Sequence, residues 1–184
     1  MNTPVYDFLI QYAERDPVRL HMPGHKGRFG APALQRATTL DLTEITGADS
    51  LFEAEGILAE SERNAASLYG TAYTFYSCGG STLCIQTMLL LMKQQGRAVL
   101  AARNVHRAFL NTCVLLDLPV QWIYPRESDG ILSGTYDLAD FEAALQQQTR
   151  PACVYVTSPD YLGRMADIAG LAELCHRYHA KLLV

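Results

Sequence analysis

The sequence is poor in tryptophan and in lysine: its 184 residues include one tryptophan and only three lysines, which are Lys26, Lys93 and Lys181. Basic residues are outnumbered, since 15 Lys and Arg stand against 19 Asp and Glu and give a formal net charge of −4. Proteins that bind nucleic acids normally carry a basic stripe or patch. We therefore predict small-molecule partners and no nucleic acid.

Long apolar runs and paired cysteines are also missing. No run approaches the ~20 residues of a membrane span, and residues 1–11 lack the basic-then-apolar order of a signal peptide. The five cysteines are scattered, odd in number and without a CxxC pair, which argues against a disulfide or zinc framework. These absences predict a cytoplasmic protein with no membrane contact and no metal.

From about residue 71 onward, β-prone runs alternate with helical ones. Such alternation is typical of βαβ units, so we predict an α/β fold with three layers, α/β/α, around a mostly parallel sheet. A polar, glycine-containing loop is expected at 127–134. The predicted strands are 72–77, 98–102, 120–124, 152–157 and 181–184, and the predicted helices are 81–95, 106–116, 138–147 and 168–179.

The first 60 residues have few strand signals and are predicted to form an N-terminal arm, with residues 61–184 as the major domain. The arm contains one amphipathic helix near 4–15 and a His-, Pro- and Gly-rich loop at 21–30, and another helix begins near Ala59. The chain stops inside its last predicted strand, where natural domains seldom end. We therefore expect an N-terminal portion of a longer protein, the alternative being a short domain that ends on its last strand.

One short run has the pattern of a phosphate-binding turn: Gly79, Gly80, Ser81 and Thr82 lie between a β-prone run and an apolar helix. Glycines allow a tight turn and close approach to a ligand. Hydroxyl groups at a helix start lie beside unpaired N–H groups and the positive end of the helix dipole, which favours an anion. The same letters also describe any capped strand-to-helix turn, so both interpretations stay open at this point.

Two further candidates follow predicted strands. His106 comes after strand 98–102 and Thr157 ends strand 152–157, which places both at the carboxyl edge of the sheet, where open α/β folds bind ligands. His106 is suited to stack on a planar cofactor or to titrate near neutrality, the alternative being a helix cap. The Thr157 and Ser158 hydroxyls either border a polar cofactor or belong to an ordinary loop.

The arm loop HMPGHKG at 21–27 concentrates His21, His25 and Lys26. It is interpreted either as a loop that meets an anionic or carboxylate-bearing ligand or as a basic surface loop. A zinc site is not predicted, because Pro and Gly interrupt any helix between the histidines and no third ligand is evident. The acids Asp41, Glu44 and Asp49 that follow are either structural or substrate-facing.

Five motifs in order resemble the Orn/Lys/Arg decarboxylase family: HMPGHKG at 21–27, DLTEITGADSLF at 41–52, SCGGST at 77–82, RNVH at 103–106 and TSPDYLG at 157–163. The resemblance covers almost the whole chain. It implies an aminotransferase-like (type I) fold that uses pyridoxal 5'-phosphate (PLP). It also implies a homodimer in which the N-terminal arm contributes to the active site.

The resemblance also implies roles for individual residues. Gly80, Ser81 and Thr82 would hold the cofactor phosphate, and the catalytic residue His106 would lie against the pyridine ring. Thr157 would border the cofactor. The loop with His21, His25 and Lys26 would face the substrate or the neighbouring subunit.

The implied activity is decarboxylation of a basic amino acid, Lys, Orn or Arg, through a Schiff base with release of CO2. In the family, an Asp for the pyridine nitrogen follows a strand corresponding to 181–184, and the Schiff-base lysine comes later still. Neither is part of this sequence, and none of its lysines has a matching context, so the chain alone is expected to be inactive. Alternatives are an aminotransferase or other lyase of the same fold, or a non-catalytic module that dimerises or binds a phosphate ligand.

Overall fold

The computed structural model describes residues 2–128 and 133–184. The chain divides into two compact units, Met1–Tyr76 and Ser77–Val184. In both units, none of the helices within the described ranges combines the length and the apolar character that a bilayer crossing requires.

The Met1–Tyr76 unit contains helices α1 (Pro4–Glu14), α2 (Pro32–Leu40) and α3 (Ile57–Tyr69). Helices α1 and α2 each have a proline in their first turn, where the fixed φ of proline suits a helix start and its missing N–H is not needed. Helix α3 ends at Gly70, whose φ of 66° is left-handed and costs little without a side chain. Helix α1 packs against both α2 and α3. The structure confirms α1 and α3, whereas α2 was not predicted.

In the Ser77–Val184 unit, helices alternate with strands as predicted. Four strands form one parallel sheet in the order β2-β1-β5-β6, and β3 pairs with β4 in a separate antiparallel ribbon. The elements are α4 (Gly80–Gln94), β1 (Ala98–Ala102), α5 (Arg107–Leu115), β2 (Val120–Ile123), β3 (Glu127–Ser128), β4 (Gly134–Thr135), α6 (Leu138–Gln146), β5 (Ala152–Tyr155), α7 (Ile168–Arg177) and β6 (Lys181–Leu183).

Alternate residues of the sheet enter two different cores. Leu100 and Val154 point to the face covered by α6 and α7. Val99 and Cys153 point to the opposite face, covered by α4 and α5. Burial on both faces explains why the strands read as nearly continuous apolar runs, and it confirms the predicted three-layer α/β/α architecture.

The predicted strand at 72–77 is wrong, because these residues form neither helix nor strand. Tyr73 and Phe75 leave 79% and 78% of their surface exposed, and their rings stack on one another with centroids 6.3 Å apart. The backbone N–H of Tyr76 donates to the Glu62 side chain at 2.9 Å instead of to a neighbouring strand. In the predicted loop 127–134, the structure adds the short strands β3 and β4, and residues 129–132 lie outside the described residues.

Candidate functional site

Two helix starts lie at the same edge of the parallel sheet. Helix α4 precedes β1 and runs antiparallel to it, and helix α5 follows β1. The first turns of both helices therefore lie beside the carboxyl end of β1. The two helices also pack against each other on one face of the sheet. This arrangement brings residues 80–82 and His106 to the edge where open α/β sheets bind ligands.

The turn into α4 has the geometry of an anion cradle. Gly80 has a left-handed φ of +62°, and no atom lies within 4 Å of the position that a Cβ would take there. A Cβ at Gly79, by contrast, would lie 2.5 Å from the Cβ of Leu83. The two glycines therefore serve different purposes, one for backbone conformation and open space, the other for close packing.

The N–H groups at the start of α4 are left to a ligand or to solvent. No side chain of the described residues caps this helix, although the Ser77 hydroxyl accepts a bond of 3.1 Å from the Gly79 N–H, one position earlier. Ser81 and Thr82 are exposed. Uncapped N–H groups, the positive end of the helix dipole and two hydroxyls together form a donor set suited to an anion.

His106 caps helix α5, and a helix cap was the second of the two roles that the sequence allowed for this residue. Its Nδ1 accepts a hydrogen bond of 3.1 Å from the backbone N–H of Ala108, so Nε2 carries the ring proton in the neutral imidazole. The ring is exposed, and no hydrogen bond from the described residues engages its Nε2. Its role toward a cofactor stays a prediction.

Thr157 presents an unsatisfied polar atom at the end of β5. Its Oγ1 is buried, and no hydrogen bond reaches it from the described residues. Burial raises the pKa of Tyr155, two residues earlier, and the Thr157 side chain opposes that rise. A buried hydroxyl without a partner costs free energy, so the group is suited to receive a ligand or a water.

Thr157 also lines a cavity of about 100 Å³, whose polar lining residues include Asn104, Asp160 and Arg164. This volume holds more than one water or a small polar group. The Asp160 carboxylate organises the loop after β5. It accepts hydrogen bonds of 2.9 Å from the backbone N–H groups of Leu162 and Arg164, and it also accepts one from the Ser133 hydroxyl.

These hydrogen bonds hold the pKa of Asp160 below its usual value, the Ser133 contact first among them. Sequence reasoning assigned Asp160 no role of its own. The signal that could have found it is the Pro-Asp-x-x-Gly spacing at 159–163, which is typical of a turn closed by an aspartate side chain.

The three candidates of the arm loop belong to the Met1–Tyr76 unit and form hydrogen bonds within it. His21 Nε2 lies 2.6 Å from the Tyr12 hydroxyl, and His25 Nε2 lies 3.1 Å from Asp41 Oδ2. The Lys26 ammonium donates to the backbone oxygen of His21. A substrate-facing role for these residues stays a prediction.

Asp49 is one of the acids for which the sequence allowed either a structural or a substrate-facing role, and in the structure it has a structural one. Its carboxylate accepts hydrogen bonds from four backbone N–H groups, and two of them, at Gly56 and Leu58, belong to the start of α3. These bonds outweigh the opposing effect of desolvation and lower the pKa of Asp49 to about 2. Glu44 has a lowered pKa because it accepts from the Thr43 hydroxyl.

Both lysines of the Ser77–Val184 unit lie away from the cradle. Lys93 is near the C-terminal end of α4, and its ammonium donates to the Leu116 carbonyl at the end of α5. Lys181 begins β6, at the amino edge of the sheet. The 13 residues that separate Gly80 from Lys93 correspond to about 20 Å of helix.

No metal centre is evident in the described part of the chain, because no three of its His, Cys, Asp and Glu side chains come together in a way that could hold an ion. The candidate site lies at the carboxyl edge of the parallel sheet. It contains the uncapped start of α4, the exposed imidazole of His106 and the Thr157 hydroxyl, which has no hydrogen-bond partner among the described residues.

Comparison with known structures defines the class of fold. The solved lysine decarboxylase A of Pseudomonas aeruginosa matches with a TM-score of 0.67 and 23% identity, over 86% of this chain and 24% of that chain. A serine palmitoyltransferase of S. paucimobilis, solved with bound PLP, matches with a TM-score of 0.51 and 13% identity, over 95% of this chain and 37% of that chain. The fold is that of the aminotransferase-like PLP-dependent proteins.

Comparison of sequences defines the family. Residues 3–184 match the family described as Orn/Lys/Arg decarboxylase, major domain. The arginine decarboxylase of Halalkalibacterium halodurans is 30% identical over 190 residues, which cover 99% of this chain and 38% of the relative. The chain belongs to the Orn/Lys/Arg decarboxylase family and spans less than half the length of this relative.

The residues present fit the phosphate end of PLP. The cradle offers N–H and hydroxyl donors with open space above Gly80, and the buried Thr157 Oγ1 lacks a partner among the described residues. Donors of this kind at a helix N-terminus suit a phosphate.

Proposed function

We propose that this chain is the N-terminal part of a PLP-dependent decarboxylase that acts on a basic amino acid, Lys, Orn or Arg, and releases CO2. The main support is the uncapped start of α4 after the left-handed Gly80. This cradle lies at the same sheet edge as His106 and Thr157. A protein of this kind needs a rigid phosphate site before it can orient the rest of its cofactor.

PLP, when bound, supplies a ring that accepts the electron pair released as a carboxylate leaves as CO2. The chain's own residues bind and orient. Backbone N–H groups at 80–82 and the Ser81 and Thr82 hydroxyls would hold the phosphate, and the helix dipole would add to the attraction. The exposed His106 would hold the planar part of the cofactor, and the Thr157 Oγ1 would bind a polar atom of the ligand.

We further propose that the chain alone binds the cofactor without completing the reaction. The reaction requires a lysine that bonds covalently to PLP. Within the Ser77–Val184 unit, Lys93 is about 20 Å along α4 from the cradle, and Lys181 begins a strand at the opposite edge. This placement also supports the alternative of a non-catalytic phosphate-binding module.

The substrate class and the assembly are proposals as well. Relatives that carry the names arginine decarboxylase and lysine decarboxylase support a basic amino acid. We propose that the protein is cytoplasmic and that it forms a homodimer. Sedimentation of the purified chain would test the homodimer, and a monomer at every concentration would contradict it.

Phosphate recognition is tested by titrating the chain with PLP and with pyridoxal, which lacks the phosphate, and following the absorbance of the ligand. PLP should bind at least about tenfold more tightly, since hydrogen bonds to a charged group contribute ~1.5–3 kcal/mol. Thr82→Val removes one hydroxyl and leaves the backbone donors, so it should reduce that preference without abolishing it. The matched control is Thr87→Val on the same helix, because the Thr87 hydroxyl bonds only to the Leu83 carbonyl. Equal affinity for PLP and pyridoxal would contradict the cradle.

Inactivity is tested by borohydride reduction of the PLP-loaded chain followed by mass spectrometry, and by measuring CO2 release from arginine, lysine and ornithine. We expect no stoichiometric adduct on one lysine and no CO2. A single modified lysine at full occupancy would show that the chain supplies its own covalent partner and would overturn this part of the proposal. The phosphate-binding result would stand independently.

A further inference from the structure

The arm loop at 21–27 contains two imidazoles, and neither has a free nitrogen. For His25, the backbone N–H of Gly27 donates to Nδ1 over 3.1 Å, and Nε2 lies 3.1 Å from Oδ2 of Asp41. Because Nδ1 accepts, the proton of the neutral ring is on Nε2 and is donated to the carboxylate. His25 therefore has no nitrogen left to exchange a proton with a ligand.

His21 is held in the opposite tautomer. Its Nδ1 contacts the backbone oxygen of Met22, and since a carbonyl oxygen only accepts, Nδ1 carries the proton. Its Nε2 lies 2.6 Å from the Tyr12 hydroxyl, which donates to it. Both nitrogens of His21 are again engaged inside the same unit.

Arg19 fixes the base of this loop. Its side chain is buried, with 8% of the residue exposed, and its guanidinium donates to the carbonyls of Thr39 and Asp41 at the C-terminal end of α2. One face of the guanidinium covers the Tyr12 ring, 5.2 Å from its centroid. Gly27 lies against it with a φ of +75°, and a Cβ there would be 2.5 Å from the Arg19 Cζ.

Lys26 is the group of the loop that keeps free donors. It is exposed, and its ammonium gives one N–H to the His21 carbonyl, which leaves two. Lys26 and Arg28 line a surface pocket of about 360 Å³ together with Asp16 and Arg19. Among the described residues, no carboxylate forms an ion pair with Arg28.

The pocket is positive in a chain whose formal net charge is −4, since three cations line it against one carboxylate. We propose that this pocket binds a phosphate or carboxylate group through Lys26 and Arg28, and that His21 and His25 act as positioning residues that exchange no proton with it. Charge-assisted hydrogen bonds from an ammonium and a guanidinium suit both anions. The proposal concerns the Met1–Tyr76 unit alone and holds whether or not the cradle at 80–82 binds PLP.

The anion is tested by titrating the full chain with inorganic phosphate and, separately, with acetate, and following backbone amide shifts at 26–28 by NMR. Lys26→Gln should weaken binding about tenfold, while Lys26→Arg should retain it. The matched control is Arg36→Gln, an exposed arginine on α2, which should change nothing. Preference for phosphate or for acetate identifies the group, and no shift with either anion, or equal affinity in Lys26→Gln, would overturn the site.

The positioning role has its own spectroscopic readout. Long-range ¹H–¹⁵N spectra of the imidazoles should show His21 protonated on Nδ1 and His25 on Nε2, unchanged when phosphate is added at constant pH. Arg19→Met should mix the tautomers and weaken phosphate binding although Lys26 and Arg28 remain. If that variant unfolds, Tyr12→Phe removes the contact to Nε2 and leaves the one from Nδ1 to Met22, so it should weaken the preference for the Nδ1-protonated tautomer at His21 alone. An imidazolium signal that forms on phosphate binding would overturn the assignment.

Discussion

Replacing Phe109 with alanine should destabilise the Ser77–Val184 unit by about 3–5 kcal/mol, the range for removal of a fully buried aromatic ring. Phe109 has no exposed surface and is the largest side chain that α5 buries against the sheet. Its ring centroid is 4.3 Å from that of Tyr155 on β5 and 6.0 Å from that of Trp122 on β2. Aromatic pairs of this kind contribute about 0.5–1.5 kcal/mol beyond burial of area.

The assay is urea unfolding followed by fluorescence of Trp122, the single tryptophan of the chain. Phe109→Leu, which keeps part of the apolar volume, should lose less stability than Phe109→Ala. Leu110→Ala is the matched control, because Leu110 on the same helix is 37% exposed. If Phe109→Ala lowered the free energy of unfolding no more than Leu110→Ala, α5 would not be packed on the sheet as described, and the position of His106 at its start would lose its support.

At Gly80, alanine should cost about 1–2 kcal/mol in urea unfolding because φ is +62°, and asparagine, which tolerates that conformation, should cost less; equal stability of the wild type and both variants would contradict a left-handed turn. Asp49, with its pKa lowered to about 2 from 3.8, stabilises the folded chain above pH 4 and loses this effect as the pH falls toward 2. Asp49→Asn should therefore flatten the acid-unfolding curve in that window, and an unchanged slope would refute the assignment. Iodoacetamide at pH 8 should modify only the exposed Cys78 and Cys84 before unfolding, as mass spectrometry would show, and an adduct on a buried thiol would count against the packing. Burial raises the pKa of the other three thiols to about 11, 12 and 11, for Cys113, Cys153 and Cys175.

The parallel sheet and its helices could be predicted because their signals are local. Strand β1 is buried over all five residues, so its sequence is an apolar run bounded by polar residues. Helices α4 to α7 repeat apolar residues at helical spacing, and Asp137 caps α6 by accepting from the Ala139 N–H. Predicted and observed ends of these elements differ by at most two residues.

The errors arise where long-range contacts decide the local structure. The aromatic run at 72–77 has the alternation of a strand, yet Tyr76 gives its N–H to Glu62, fourteen residues earlier. Helix α2 has no buried residue, and the buried Arg19 binds the carbonyls at its C-terminal end from outside the helix. Neither partner is visible in a local window of sequence.

The candidate site was partly predictable for the same reason. The run of glycines and hydroxyl residues predicted a tight turn and a helix start, and the structure has α4 begin there, with a left-handed φ at Gly80. The unsatisfied hydroxyl of Thr157 depends on which neighbours surround it, and the tautomers of His21 and His25 depend on Tyr12 and Asp41. Side-chain geometry of this kind requires the folded structure.

In the Ser77–Val184 unit, the lysines and the uncapped N–H groups of α4 lie at opposite edges of the sheet. A parallel α/β unit gathers helix N-termini, and with them anion donors, at its carboxyl edge. The ammonium of Lys93 binds a carbonyl at the end of α5, where the negative end of that helix dipole stabilises it. The helix between Lys93 and the cradle is about 20 Å long, so the ammonium would have to leave that carbonyl to reach the cradle. Lys181 starts β6 at the same amino edge, so both lysines of this unit lie at the edge of the sheet opposite to the start of α4.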